Sequence, residues 1–136
     1  MGLYLVVFDD EIELDGVEVG TYSDFGAFRH AVANLEDGVP GSLFPTLLLH
    51  EDCDGQWTPH EAARLEGELQ TISARFRELP PIPLDGTWKQ EVAKTDGLQI
   101  ESLYDCFFDV DGEPLLERLI NLTKLSQARS LPILFQ

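Results

Sequence analysis

The sequence feature that most constrains the fold of this chain is a pattern that predicts one long helix. Thr58 is followed three residues later by Glu61, a pair typical of a capping box, and Pro59 occupies the first helical position, where a missing N–H costs nothing. Apolar residues then recur at steps of three and four, which places them on one helix face: Ala62, Leu65, Leu69, Ile72, Phe76 and Leu79. The pattern predicts an amphipathic helix that ends before the prolines of residues 80–83, which cannot continue it.

The residues before this helix predict a strand and an acidic loop. The run Leu47–Leu49 is apolar and of strand length, which predicts a strand covered on both faces. Asp52 and Asp54, followed by Gly55, then predict a turn, because Asp accepts hydrogen bonds from the backbone that follows it and Gly tolerates positive φ.

The same loop also has the spacing of a calcium site. With Gly55 at the sixth position of a calcium loop, Asp52, Asp54 and Glu61 fall at the third, fifth and twelfth positions. His50 then occupies the first position, where a hard cation prefers an aspartate oxygen. Turns and a helix cap explain these residues without a metal, so a calcium-responsive binding module remains an alternative, and calcium is the one cofactor suggested.

The amino-terminal third predicts strands and a helix. The run from Leu3 to Phe8 is typical of a central strand. The alternating stretch Ile12–Val19 surrounds an Asp15-Gly16 pair, a strong hairpin signal that would set Glu13 opposite Glu18. Ser23 is expected to cap the next helix, which carries apolar residues on one side and ends near Gly38: Phe25, Phe28, Val32 and Leu35.

The carboxyl-terminal half repeats the pattern of a turn before a helix. Trp88 and Val92 predict a short helix that stops at Gly97. Asp109 and Asp111 stand in a second D-x-D-G turn, before a leucine-rich helix that begins at about residue 114. An apolar strand at residues 131–136 is expected to dock into the sheet. The sequence thus predicts one α+β domain over residues 1–136, with a small mixed β-sheet, a β-hairpin and about three main helices.

Charge restricts the partners of this chain. Nine Lys and Arg stand against 25 Asp and Glu, giving a net charge of -16. Nucleic acid and anionic membrane surfaces attract proteins with an excess of cationic side chains, and this chain has an excess of anionic ones. We therefore expect neither as a partner and favour a basic partner. With neither a membrane-length apolar run nor a signal-like start, we expect a cytoplasmic protein with reduced cysteines.

Eight carboxylates are candidates for contact with such a partner. They lie in the predicted hairpin and in the two D-x-D-G turns: Glu11, Glu13, Asp15, Glu18, Asp52, Asp54, Asp109 and Asp111. Like charges opposed across a strand pair are unfavourable, so their retention suggests a surface kept for a cation. An exposed hairpin screened by salt explains the same residues without a partner.

Motifs for catalysis are absent from the sequence. It contains no G-x-S-x-G, H-E-x-x-H, P-loop or G-x-G-x-x-G. We therefore expect no enzyme. Because carboxylates are abundant, an enzyme with an unrecognised acidic site remains a second alternative.

Four segments together resemble the immunity protein 70 family of bacterial polymorphic toxin systems. They are the opening residues 1–9, the run from Phe44 through His50-x-Asp52-Cys53-Asp54-Gly55-x-Trp57-x-Pro59, the element at residues 109–116 and the closing residues 132–136. The resemblance implies a small cytoplasmic antidote that binds and blocks a cognate toxin domain without catalysis of its own. An acidic antidote suits a toxin with a cationic groove, such as a basic nuclease. The segments do not indicate which face meets the toxin.

Overall fold

The computed structural model describes residues 2–51, 55–84 and 86–136, and within them the chain forms an antiparallel sheet packed against helices. The helices and strands follow in chain order: β1 (Gly2–Asp9), β2 (Ile12–Thr21), α1 (Tyr22–Ala33), α2 (Pro45–Leu48), β3 (Gln56–Trp57), α3 (Pro59–Arg77), α4 (Thr87–Thr95), a 3-10 turn (Leu103–Cys106), α5 (Leu115–Arg129) and β4 (Ile133–Phe135).

The four strands lie in the order β2-β1-β4-β3, and each neighbouring pair is antiparallel. The α+β class, the central position of β1 and the docking of the terminal strand are therefore confirmed. The expected mixed sheet is wrong, because β4 returns from α5 against the direction of both β1 and β3.

One face of the sheet carries the core. Alternate residues of β1, namely Leu3, Leu5 and Val7, join Val17 of β2 and Phe135 of β4 in a single buried cluster with the helices. The residues of opposite parity in β1, Tyr4, Val6 and Phe8, do not belong to that cluster. Because side chains alternate across a strand, these residues define a second, outer face of the sheet.

The hairpin is displaced from its predicted position. The turn lies at Asp10 and Glu11, where Asp10 adopts a φ of 55°, and β2 runs straight through Asp15-Gly16. Gly16 is needed in the strand for space, since a Cβ there would lie 2.1 Å from the hydroxyl oxygen of Tyr4. The predicted cross-strand pair of Glu13 and Glu18 therefore does not form.

Two further predictions are wrong for tertiary reasons. The apolar run at Leu47 forms the short helix α2 rather than a strand, because the Glu68 carboxylate accepts hydrogen bonds from the N–H groups of Thr46 and Leu47 in its first turn. The cap of α1 is Thr21 rather than Ser23, with a complete capping box to Asp24.

The long helix, α3, is confirmed with its cap. Thr58 and Glu61 exchange both capping-box hydrogen bonds, and the predicted apolar face from Ala62 to Phe76 is buried. Leu79 lies beyond the helix and is 37% exposed. The helices α4 and α5 are also confirmed. Among the described residues, no helix is both long enough and apolar enough to span a membrane.

Cys106 is a free, buried thiol. Burial raises the pKa of this thiol, although the N–H of Ile82, 3.3 Å from its Sγ, acts in the opposite direction. Cys53 lies outside the described residues.

Candidate binding surface

A β-bulge brings the acidic residues of β2 onto the outer face of the sheet. Glu13 and Glu18 are five positions apart, so an uninterrupted strand would place them on opposite faces. Asp15 pairs with Val7 and Glu13 with Phe8, which leaves Leu14 as an extra residue in β2. Beyond that bulge Glu13 shares the face of Tyr4, whose own cross-strand partner is Glu18.

The pKa of Tyr4 reflects the negative charge that surrounds its side chain. Burial, a hydrogen bond to Glu13 and the charge of Glu13 raise the pKa of Tyr4 to about 12, with smaller effects from the charges of Glu18 and Asp15. Three carboxylates thus lie within electrostatic reach of one phenol hydroxyl. They make the outer edge of the sheet strongly negative.

The turn extends this negative surface. Asp10, Glu11 and Glu13 are exposed at the end of the β1–β2 hairpin, beside Ile12, which is 69% exposed. Glu11, Glu13 and Glu18 form no ion pair with any of the described residues. We refer to the surface formed by Tyr4, Asp10, Glu11, Glu13 and Glu18 as the acidic face.

Arg118 of α5 separates two predicted contact residues from this face. Its Nη2 lies 3.5 Å from Asp15 Oδ1, and its Nε lies 3.3 Å from Asp109 Oδ2. The Asp109 side chain is only 1% exposed, and its Oδ1 accepts hydrogen bonds from the N–H groups of Asp111 and Glu113. Asp109 therefore stabilises its own turn and the contact with α5, whereas Asp111 is exposed.

The predicted calcium loop is only partly described. Asp52 and Asp54 lie outside the described residues. The Glu61 carboxylate accepts the N–H of Thr58 at 3.0 Å, which closes the capping box. The ring nitrogens of His50 lie 2.6 and 2.9 Å from the carbonyl oxygens of Glu51 and Gln56.

No group of three or more metal-ligating side chains is brought together in the part of the chain that the structure describes. Calcium binding by the loop remains a prediction, as does the enzyme alternative.

Sequence reasoning missed Tyr4, Gly16 and Arg118. The alternation within β1 would have placed Tyr4 opposite the core residues Leu3 and Leu5, which is a signal for an outer-face position. The approach of α5 to β2 through Arg118 has no local sequence signal, because Arg118 and its hydrogen-bond partner Gly16 are 102 positions apart in the chain.

Comparison with known proteins identifies the class to which this chain belongs: the immunity proteins, a class that implies a toxin partner and is generally not enzymatic. The sequence profile described as Immunity protein 70 matches residues 3–135, nearly the whole chain, and the chain belongs to that family. No curated protein and no solved structure matches the chain significantly.

Proposed function

We propose that this protein binds a cognate toxin domain directly through the acidic face and blocks it without catalysis, in the cytoplasm of the cell that carries both. Membership of the immunity protein 70 family supports a toxin as the partner. The observation that carries the choice of surface is the cluster of carboxylates around Tyr4 and the neighbouring turn, in which Glu11, Glu13 and Glu18 form no ion pair with a described residue.

Charge supports a cationic toxin surface. A net charge of -16 repels nucleic acid but accelerates encounter with a positive groove, and association steered in this way is faster than unsteered association by about 10-fold or more. A basic nuclease of a polymorphic toxin system has such a groove, because it must hold phosphates. An antidote that covers the groove with carboxylates would exclude the substrate.

The exposed turn is suited to this role. Ile12 projects among Asp10, Glu11 and Glu13, so a partner would meet one large apolar side chain surrounded by charge. Apolar side chains buried at the centre of an interface contribute most to affinity, while the charged rim contributes mainly to rate and specificity. The turn offers both in consecutive residues.

Coexpression tests the proposal. Candidate toxin domains encoded beside the gene are expressed with the wild-type protein, with the triple variant Glu11→Gln/Glu13→Gln/Glu18→Gln, or with no partner. We expect the wild type to restore growth and to copurify with the toxin, and the triple variant to do both less well. Unrelieved toxicity together with no copurification would refute the function.

A matched control separates the acidic face from overall charge. The variant Glu78→Gln/Glu101→Gln/Glu117→Gln removes the same number of charges from exposed positions outside the β1–β2 hairpin. We expect it to protect as well as the wild type. Equal loss of protection in both triple variants would contradict the choice of surface while leaving the toxin as partner.

A further inference from the structure

A cavity of about 490 Å³ opens at one end of the acidic face, where β1 begins and β2 ends. Its walls include the side chains of Tyr4, Trp88, Val92 and Val110, and Glu18 contributes the only carboxylate among its lining residues. None of the described residues that line it is basic, and the nearby Lys89 Nζ lies 6.0 Å from the centre of the Trp88 ring.

Two glycines, Gly2 and Gly20, line this cavity. Gly20 adopts a φ of 119°, and a Cβ there would lie 2.8 Å from Cζ2 of Trp88 and 2.6 Å from Oδ2 of Asp24. Across the strand pair, a Cβ on Gly2 would lie 3.1 Å from the carbonyl oxygen of Gly20. The strands therefore present bare backbone at this point, and the indole can approach it closely.

The indole wall is fixed in place. The Nε1–H of Trp88 donates to Asp24 Oδ2 at 3.0 Å, and the same carboxylate closes the capping box of α1. Phe108 meets the indole edge to face, with 6.0 Å between ring centres. A wall held in this way loses little conformational freedom when a ligand binds.

Glu18 is the charged residue among those that line the cavity. Its carbonyl oxygen accepts the N–H of Val110 at 3.1 Å, which fixes the backbone. Among the described residues its exposed carboxylate makes neither an ion pair nor a side-chain hydrogen bond. Glu13 and Asp15 add negative potential nearby, as the raised pKa of Tyr4 shows.

We propose that this cavity receives one lysine or arginine side chain of a protein partner. The aliphatic stem lies against the valines and the aromatic rings, and the cationic end lies beside the Glu18 carboxylate. Long basic side chains bury their stems against apolar surface, and aromatic faces attract the charge. The identity of the partner as a toxin rests on the proposed function; the chemistry of the cavity does not.

Small-molecule probes test the cavity without any toxin. N-acetyl-arginine amide and N-acetyl-lysine amide are titrated into ¹⁵N-labelled protein, and N-acetyl-citrulline amide serves as the neutral isostere of the first. We expect saturable shifts of the Gly20 and Val110 amides and of the Trp88 indole N–H, with dissociation constants in the millimolar range. Citrulline amide should bind about tenfold more weakly, because it lacks the charge.

Variants assign the binding to Glu18. Glu18→Gln should weaken binding of the arginine probe about tenfold, whereas Glu117→Gln, at an exposed position on α5, should leave it unchanged. The same spectra show whether each variant is folded. No shift at these three groups, or equal shifts with citrulline amide, or equal affinity of both variants, would overturn the cavity proposal.

Coexpression separates this proposal from the proposed function. If the probes bind as expected but no toxin is neutralised, the cavity proposal is supported and the proposed toxin-binding function is contradicted. If a toxin is neutralised but the probes do not bind, the cavity proposal fails and the acidic face remains.

Discussion

Glu36 shows at the scale of one residue how this acidic chain uses a buried carboxylate. The residue is 8% exposed, and its carboxylate accepts the N–H groups of Gly41, Leu43 and Phe44, each at 2.9 Å. Burial by itself would raise the pKa of Glu36, but these hydrogen bonds favour the charged form and lower it below its ordinary value of 4.5. Glu36 thereby organises the loop between α1 and α2.

Glu36→Gln should therefore destabilise the protein at neutral pH. Losing the charge-assisted hydrogen bonds should lower the free energy of unfolding at pH 7 by about 2 kcal/mol. Because the pKa is lowered in the folded state, the wild-type contribution is present above the unfolded-state pKa and is lost as pH falls through the folded value. Urea unfolding should show that the free energy of unfolding falls less between pH 7 and pH 3 in the variant than in the wild type.

The neighbouring exposed residue supplies a control for this prediction. Asp37→Asn removes the same charge and should change the free energy of unfolding by less than about 0.5 kcal/mol. Equal pH profiles for wild type and Glu36→Gln would contradict the role assigned to Glu36.

Tyr4 gives a direct measure of the acidic face. Tyrosinate absorbance should show one group titrating near pH 12, and Tyr4→Phe should remove it. The pair Glu13→Gln/Glu18→Gln should shift this titration toward the ordinary value of 10.0, because it removes two charges and makes the hydrogen-bond acceptor at position 13 neutral, while burial remains. Circular dichroism at each pH checks that the fold persists. A titration unchanged by the double variant would mean that the carboxylates do not converge on Tyr4.

Arg118 acts at the scale of elements, because it ties α5 to β2 and to the turn at Asp109. Besides its two carboxylate partners, it donates a hydrogen bond to the carbonyl oxygen of Gly16. The edge strand that carries the acidic face is thus held from the helix side.

Arg118→Ala should destabilise the protein and loosen β2. The variant leaves the buried Asp109 carboxylate without its cation, which should cost about 2–3 kcal/mol of unfolding free energy. Amides of residues 15–17 should exchange faster with solvent. Arg129→Ala breaks the exposed pair with Asp9 and should cost less than about 1 kcal/mol. Similar costs for both variants would contradict the bracing role of Arg118.

Elements with local signals were predictable from the sequence. The helix α3 was predictable together with its cap, because Thr58, Pro59 and Glu61 are all local to it. The strand β1 and the helix α5 were predictable from their apolar patterns.

Elements that depend on distant residues were not predictable in this way. The turn was misplaced because Gly16, in an Asp-Gly pair typical of a turn, instead lies within β2 beside the Tyr4 side chain, a contact that the local sequence does not reveal. The helix α2 depends on Glu68, twenty-two positions away from Thr46.

The candidate surface was predictable only in part. Composition indicated an acidic hairpin, and Glu11 of the turn and Glu13 of β2 are both exposed. The bulge at Leu14, which brings Glu13 and Glu18 to one face, has no sequence signal that strand periodicity could supply. Nor could sequence alone show that Asp109, in a turn of the same pattern, is buried.

At the scale of the whole molecule, charge and fold support one interpretation. The chain carries a net charge of -16, and the sheet presents Glu13 and Glu18 on its outer face while the other face holds the core. Such a charge costs stability through self-repulsion, and it favours encounter with a positive partner. The immunity family supplies the kind of partner, a toxin.

The measurement that tests this account most directly is the association rate of the neutralised toxin domain as a function of ionic strength. Stopped-flow rates are compared for the wild type, the Glu11/Glu13/Glu18 triple variant and the matched control triple variant. We predict a wild-type rate that falls steeply with salt, and an acidic-face variant slower by about tenfold at low salt with a flatter dependence, while the control stays near the wild type. Three indistinguishable rates with the same salt dependence would contradict the claim that the acidic face meets the partner.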